Sequence, residues 1–146
     1  MNSTDFSTTL LVDQTPKEAF DAINNVRAWW KEDMEGSSQK LNDEFSVKFG
    51  DVHYSKQKLI EVIPDTKVVW LVTDSRLTFV KEQDEWIGNQ IRFDIAKQGD
   101  QTEVRFTQLG LVPEIECFTD CSNAWTFYIK NSLGNLITTG EGQPTP

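Results

Sequence analysis

This chain of 146 residues has one histidine, two cysteines and two methionines, and its 14 basic residues are outnumbered by 23 acidic ones. Each shortage closes a class of function. A formal net charge of −9 offers no electrostatic grip on nucleic-acid phosphates or anionic lipid surfaces. With His53 the single imidazole, a Ser-His-Asp arrangement would have to use it, and no G-x-S-x-G elbow accompanies it. A zinc site needs about four N, S or O ligands, and Cys117 and Cys121 with one distant histidine are not a recognisable set. The glycine-rich signatures that cradle nucleotide phosphates are missing. Catalytic residues, metal ligands and cofactors are therefore assigned as none. No stretch approaches the roughly 20 apolar residues of a bilayer span, so no membrane insertion is expected. The N-terminal MNSTDFSTT lacks the basic start and apolar core of a signal peptide. The expected compartment is the cytoplasm, with both thiols reduced and buried.

Aromatic residues, by contrast, are plentiful: five Trp, nine Phe and two Tyr. Each can bury roughly 150–250 Å², ample for one domain over residues 1–146, with a tail at 141–146 expected to fray. Residues 5–12 read as a first strand. Thr15-Pro16-Lys17-Glu18 reads as a helix start with a capping box and proline in the first turn. Asn24-Asn25 ends that helix, residues 26–30 suit a second short helical turn, and residues 31–43 form a polar loop.

Three hairpins follow. Gly50-Asp51 and Gly99-Asp100 each have the composition of a two-residue turn, which fixes register. In the second, Phe93 then opposes Phe106, Ile95 opposes Val104, and Asp94 meets Arg105 on the other face, as a half-buried sheet requires. In the first, Val47 opposes Tyr54, which puts Tyr54 inward with Lys56 and Lys58, and His53 outward opposite Lys48. Two lysines on a concave apolar face mean either a bulge that flips the phase or a cationic cavity mouth. The third hairpin turns at Pro64-Asp65, with Trp70 opposite Ile60 or Glu61 according to loop length. Glu61 faces outward as an ordinary strand carboxylate, or inward as a buried acid; outward is preferred. Residues 76–82 suit another strand. The extended run 52–63 is about twice the usual strand length, so it must bend.

The chain closes with CSNAWTFYIKNSLGNLITTG (121–140), an amphipathic helix with Cys121, Trp125, Tyr128, Ile129, Leu133, Leu136 and Ile137 as its inward stripe and Gly140 as its stop. These elements make an α+β fold, a curved antiparallel sheet of six or seven strands wrapped around a long C-terminal helix, with two short helices after the first strand. This order resembles the START-like, birch-pollen-allergen-like helix-grip superfamily (SRPBCC). Four segments, IEVIPDTKVVW (60–70), EWIGNQIRFDI (85–95), VRFTQLGLVPEIECF (104–118) and CSNAWTFYIKNSLGNLITTGEGQP (121–144), resemble its bacterial branch named after the C-terminal domain of the activator of heat-shock protein 90 ATPase. The resemblance implies a largely apolar cavity, which across the superfamily binds lipids, sterols, polyketides or plant hormones and sometimes hosts cyclase or hydrolase chemistry. Relatives often carry His where this chain has Gln108, which keeps hydrogen bonding and loses titration near neutral pH.

Three functions follow in order of preference. The first is binding of a small apolar or amphipathic molecule between sheet and helix, walled by Trp30, Phe45, Phe93, Phe106 and Trp125 and oriented by Tyr54 and Gln108. The second is a chaperone-interacting module, implied by the resemblance alone. The third is a cyclase- or hydrolase-type enzyme using Glu61, Tyr54 or a lysine for acid–base work. The carboxylates Glu32, Asp33, Glu35, Asp43, Glu44, Asp84, Glu85, Glu114 and Glu116 read mostly as solvated loop charge. Energetics limits the first reading. A dry void costs about 24 cal/mol per Å³, so one of about 300 Å³ costs roughly 7 kcal/mol, comparable to a domain's whole stability.

Overall fold

The computed structural model describes residues 5–146. Seven strands form one antiparallel sheet in the order β1-β7-β6-β5-β4-β3-β2. They are β1 (Phe6–Val12), β2 (Glu35–Gly36), β3 (Glu44–Phe49), β4 (His53–Ile63), β5 (Lys67–Leu77), β6 (Gln90–Gln98) and β7 (Gln101–Leu109). Between β1 and β2 lie helix α1 (Pro16–Asn24) and a 3₁₀ turn (Val26–Ala28). The expected capping box is present: Glu18 N donates to Thr15 Oγ1 at 3.2 Å, and Thr15 N to Glu18 Oε1 at 3.0 Å. The segment expected as a further strand, 76–82, instead finishes β5 at Leu77 and turns into a loop.

The β6–β7 hairpin has the expected register, with Phe93 opposite Phe106 and Asp94 opposite Arg105. The β3–β4 hairpin does not. Its loop takes three residues, so Phe49 pairs His53 and Lys48 pairs Tyr54. One residue of slip exchanges the faces of the strand. His53, Ser55, Gln57 and Leu59 therefore point inward, and Tyr54, Lys56 and Lys58 outward. Lys56 meets Glu44 at 3.3 Å on the outer face. Glu61 faces out as preferred, 3.9 Å from Lys67.

The β4–β5 pair carries two register shifts, between Lys56 and Gln57 and between Leu59 and Glu61. The second leaves Ile60 as the extra residue, so Trp70 pairs Leu59 rather than either expected partner. Such bulges sharpen local twist and let an 11-residue strand curl.

The terminal helix starts earlier than expected and is not uniform. It runs as α2 (Phe118–Thr126), a π-helical segment (Phe127–Leu133) and α3 (Gly134–Thr139), and stops at Gly140 with φ 88°. Its buried apolar residues are Cys121, Trp125, Ile129, Leu133 and Ile137, each four positions after the last. At 3.6 residues per turn a stripe of period four drifts about 40° per step. A π segment carries more residues per turn, so the mixture holds all five on one face. Ser132 lies inside this segment, where its Oγ donates to Trp29 O at 2.6 Å and accepts from Gln143 N at 2.7 Å. The tail, expected to fray, is docked. Thr145 forms a parallel bridge with Lys31, and its N–H bonds Trp30 O at 3.0 Å. Only glycine fits at 142, because a Cβ there would stand 2.2 Å from Ala28 O.

Candidate functional site

The deep interior between sheet and helix is filled. Phe45, Phe93 and Phe106, expected as cavity walls, are at most 1% exposed. Phe93 packs on Trp29, Trp70 and Phe106 with ring centroids 5.9, 5.0 and 5.4 Å away. Phe45 abuts Trp70 at 4.9 Å, and Phe106 abuts Trp125 at 4.6 Å. These side chains form core.

Gln108 is also fully buried and belongs to the scaffold. Its Oε1 accepts from Trp125 Nε1 at 2.8 Å, and its Nε2 donates to Asn89 Oδ1 at 2.9 Å. Asn89 lies against Gly110, where a Cβ would come within 2.4 Å of the amide and φ is +106°. The Gln108-x-Gly110 spacing thus serves one device that locks helix α2 to strand β7. Tyr54 faces the outer side, beside Lys48 and Arg76.

A cavity does exist, off-centre, where α2 begins. It has a volume of about 180 Å³ and opens to solvent. Trp30 forms its deep end, Phe49 and His53 of the β3–β4 hairpin one side, and Cys121, Ala124, Trp125 and Tyr128 of the terminal helix another. Phe79 and Trp86, from the loop between β5 and β6, cover it, and Asp120 stands at its rim. Of the seven residues expected to bind ligand, the structure brings only Trp30 and Trp125 here, 4.8 Å apart between ring centroids. Trp86 stacks on Trp125 at 6.0 Å and 15°, and meets His53 edge-on at 4.8 Å.

Two loop carboxylates hold this cover in place. Glu85 accepts hydrogen bonds from the backbone N–H groups of Glu116 and Cys117, at 3.2 and 3.4 Å, just ahead of α2. Glu116 in turn accepts from Lys81 N at 3.0 Å. Anionic groups at a helix start satisfy free N–H groups and complement the helix dipole. Glu85 is half-buried rather than the solvated charge expected, whereas Glu116 is exposed, as expected, while it holds its hydrogen bond.

His53, expected on the charged outer face, is the pocket's main polar group. Burial pulls its imidazole down from 6.5 to about 4, so it is neutral at physiological pH. Its Nε2 lies 2.9 Å from Ser55 Oγ, which also accepts from Gln57 Nε2 at 2.6 Å. The sequence signal for this arrangement was present: placing Ser55, Gln57 and Leu59 inward sends both lysines out. Cys117 and Cys121 are free and buried, as expected. The hydrogen bond with Cys117, reinforced by burial, pushes the Cys121 thiol far above its ordinary range, which makes it a poor nucleophile. No helix among the described residues is long and apolar enough to cross a membrane.

No family model matches the sequence, and no curated protein is similar to it in sequence. Solved structures are similar in fold. The Aha1 dimer from Colwellia psychrerythraea superposes with a TM-score of 0.75 at 19% identity, covering 94% of this chain and 98% of that one. An HSP90 activator from Plasmodium falciparum gives 0.61 at 17% identity, covering 92% and 94%. DynU16, from the dynemicin biosynthetic locus, gives 0.68 at 12% identity, covering 97% of this chain and 49% of that one. The curved seven-stranded sheet gripping one terminal helix is thus a fold shared with these solved structures.

Proposed function

We propose that this protein is a cytoplasmic binding protein for a small apolar or amphipathic molecule, seated where the β3–β4 hairpin, the β5–β6 loop and α2 meet. The observation that carries this reading is the open, aromatic-walled cavity of about 180 Å³. It is smaller than the roughly 300 Å³ at the low end of drug-sized sites, so the ligand is small or leaves part of itself in solvent. An open pocket also escapes the cost of a dry void, since water can occupy it. Native mass spectrometry of freshly purified protein, beside a denatured control, tests the reading. Extra mass lost on denaturation supports it. A clean apo mass, together with no change in tryptophan emission across a panel of small ring compounds, overturns it.

A second reading has its own support. The likeness to the Aha1 dimer and to an HSP90 activator favours a module that docks on a chaperone, and a net charge of −9 suits a basic partner surface. Stimulation of the cognate chaperone's ATPase supports it, and failure of both stimulation and pull-down removes it.

A further inference from the structure

The hydrogen bonds behind the pocket run in one direction, and that direction fixes what the pocket can read. Ser55 Oγ is fully buried and has two neighbours, Gln57 Nε2 at 2.6 Å and His53 Nε2 at 2.9 Å. The amide nitrogen of Gln57 can only donate. The serine proton then has one acceptor among the described residues, His53 Nε2, because Ser75 Oγ across the strand pair makes no hydrogen bond. The opposite assignment would rotate the Gln57 amide and strand its NH₂ in the core. The present one leaves only the carbonyl Oε1 without a partner, and a bare acceptor is the lesser fault. With Nε2 accepting, the ring proton sits on Nδ1. Nδ1 makes no hydrogen bond to the described residues, and His53 borders both the aromatic cavity and the outer pocket beside Tyr54.

We propose that His53 offers Nδ1–H to the pocket and selects a neutral one- or two-ring compound carrying a carbonyl-type oxygen. This rests on the reading of the cavity as a ligand site. The volume supports the ring count, since a cavity of about 150 Å³ holds benzene and this one measures about 180 Å³. The walls of Trp30, Trp86 and Trp125 suit a flat apolar body. Asp120 at the rim disfavours an anion, so a ketone, quinone, ester or amide fits better than a carboxylate. Gln57 is a positioning residue: it orients Ser55, which orients the imidazole.

Two measurements on the intact chain test this. Because His53 is the only histidine, ¹⁵N-histidine NMR of the ligand-free protein reads its tautomer without ambiguity. A protonated Nδ1 and a bare Nε2 are expected; the reverse overturns the assignment. Tryptophan emission then follows titration with 1-indanone and with indane, which share a shape and differ in one carbonyl. The ketone should bind about three- to tenfold more tightly, the worth of one net hydrogen bond. That preference should vanish in His53→Phe while indane binding stays. Equal affinity for the two probes in the wild type overturns the role of His53 and leaves the pocket standing. If neither probe binds, the pocket reading fails and the proposed selection by His53 falls with it. The tautomer needs no variant, so a misfolded His53→Phe leaves the question decidable.

Discussion

The terminal helix faces two interiors. Along its later half, Ile129 and Leu133 enter a sealed core that includes Trp29, Trp70 and Phe93, all at 0% exposure. Along its first half, Cys121, Trp125 and Tyr128 border an open cavity. The same sheet grips both halves, so the grip alone does not make a cavity. The difference follows what β4 sends inward. Near Trp70 it sends Leu59, fully buried opposite that ring. Near the helix start it sends His53 and Ser55, which engage each other and Gln57 instead of interdigitating with the helix. Aromatic rings then stand around the gap instead of filling it.

The widest contrast is between Phe93→Ala and any truncation at the pocket. Phe93 touches three aromatic rings and is fully buried. Its removal should cost about 3–5 kcal/mol, lost transfer energy plus a cavity that cannot collapse. Urea denaturation checks this. A loss below about 1 kcal/mol would mean that the sealed half is looser than its packing implies.

His53 tests the polar half. Unfolded, its imidazole titrates near 6.5; folded, near 4. Between those values the unfolded chain binds the extra proton, so stability rises with pH. The contribution is fully present above 6.5, falls as pH drops, and levels off below about 4. The shift of 6.5 minus about 4 sets a ceiling of about 3 kcal/mol. Carboxylates titrate in the lower part of this window, so the measurement is the difference between wild type and His53→Phe. The variant should show a flatter fall in stability from pH 6.5 to 4; parallel curves would show that the ring is solvated.

These contrasts were unevenly legible in the sequence. The sealed half was readable because a two-residue loop fixes the β6–β7 register and with it the Phe93–Phe106 pair. The open half was misread by one residue, because Gly-Asp suits both a two-residue turn and the three-residue loop actually present. That slip hid His53 and promoted Tyr54. The bulge at Ile60 left no mark that would place Trp70 opposite Leu59. Nor does inward phase separate core from lining: Phe45 and Trp30 both face inward, and only closure in three dimensions puts the second beside a void. The four-residue spacing from Cys121 to Ile137 was visible in the sequence, but i,i+4 steps also suit an ordinary α-helix and so did not announce the π segment.

The join between the two halves is Gln108. Gln108→Leu keeps the volume roughly constant and strands the Trp125 indole N–H and the Asn89 amide oxygen, both of which it now engages. The expected loss is about 1–3 kcal/mol, the cost of leaving buried polar groups unpaired. Gln108→His should recover part of it, since one imidazole can serve one of the two partners. Equal stabilities for the Leu and His variants would show that the lock contributes by shape and not by hydrogen bonds.

The smallest effect on stability is the sharpest on the pocket. Phe79 covers the cavity from the β5–β6 loop and is 40% exposed. Truncating so open a side chain should change stability by less than about 0.5 kcal/mol. The same change removes an aromatic wall, so 1-indanone and indane should both bind more weakly in Phe79→Ala, by a common factor that leaves their ratio unchanged. A common factor follows because the wall contributes apolar contact to both probes, whereas the carbonyl is read by His53. If Phe79→Ala alters the ratio instead, the ketone is oriented by the loop, and the division between an apolar cover and a polar hairpin wall breaks down. If it alters neither affinity, the probes bind deeper than the loop, against Trp30 and Trp125.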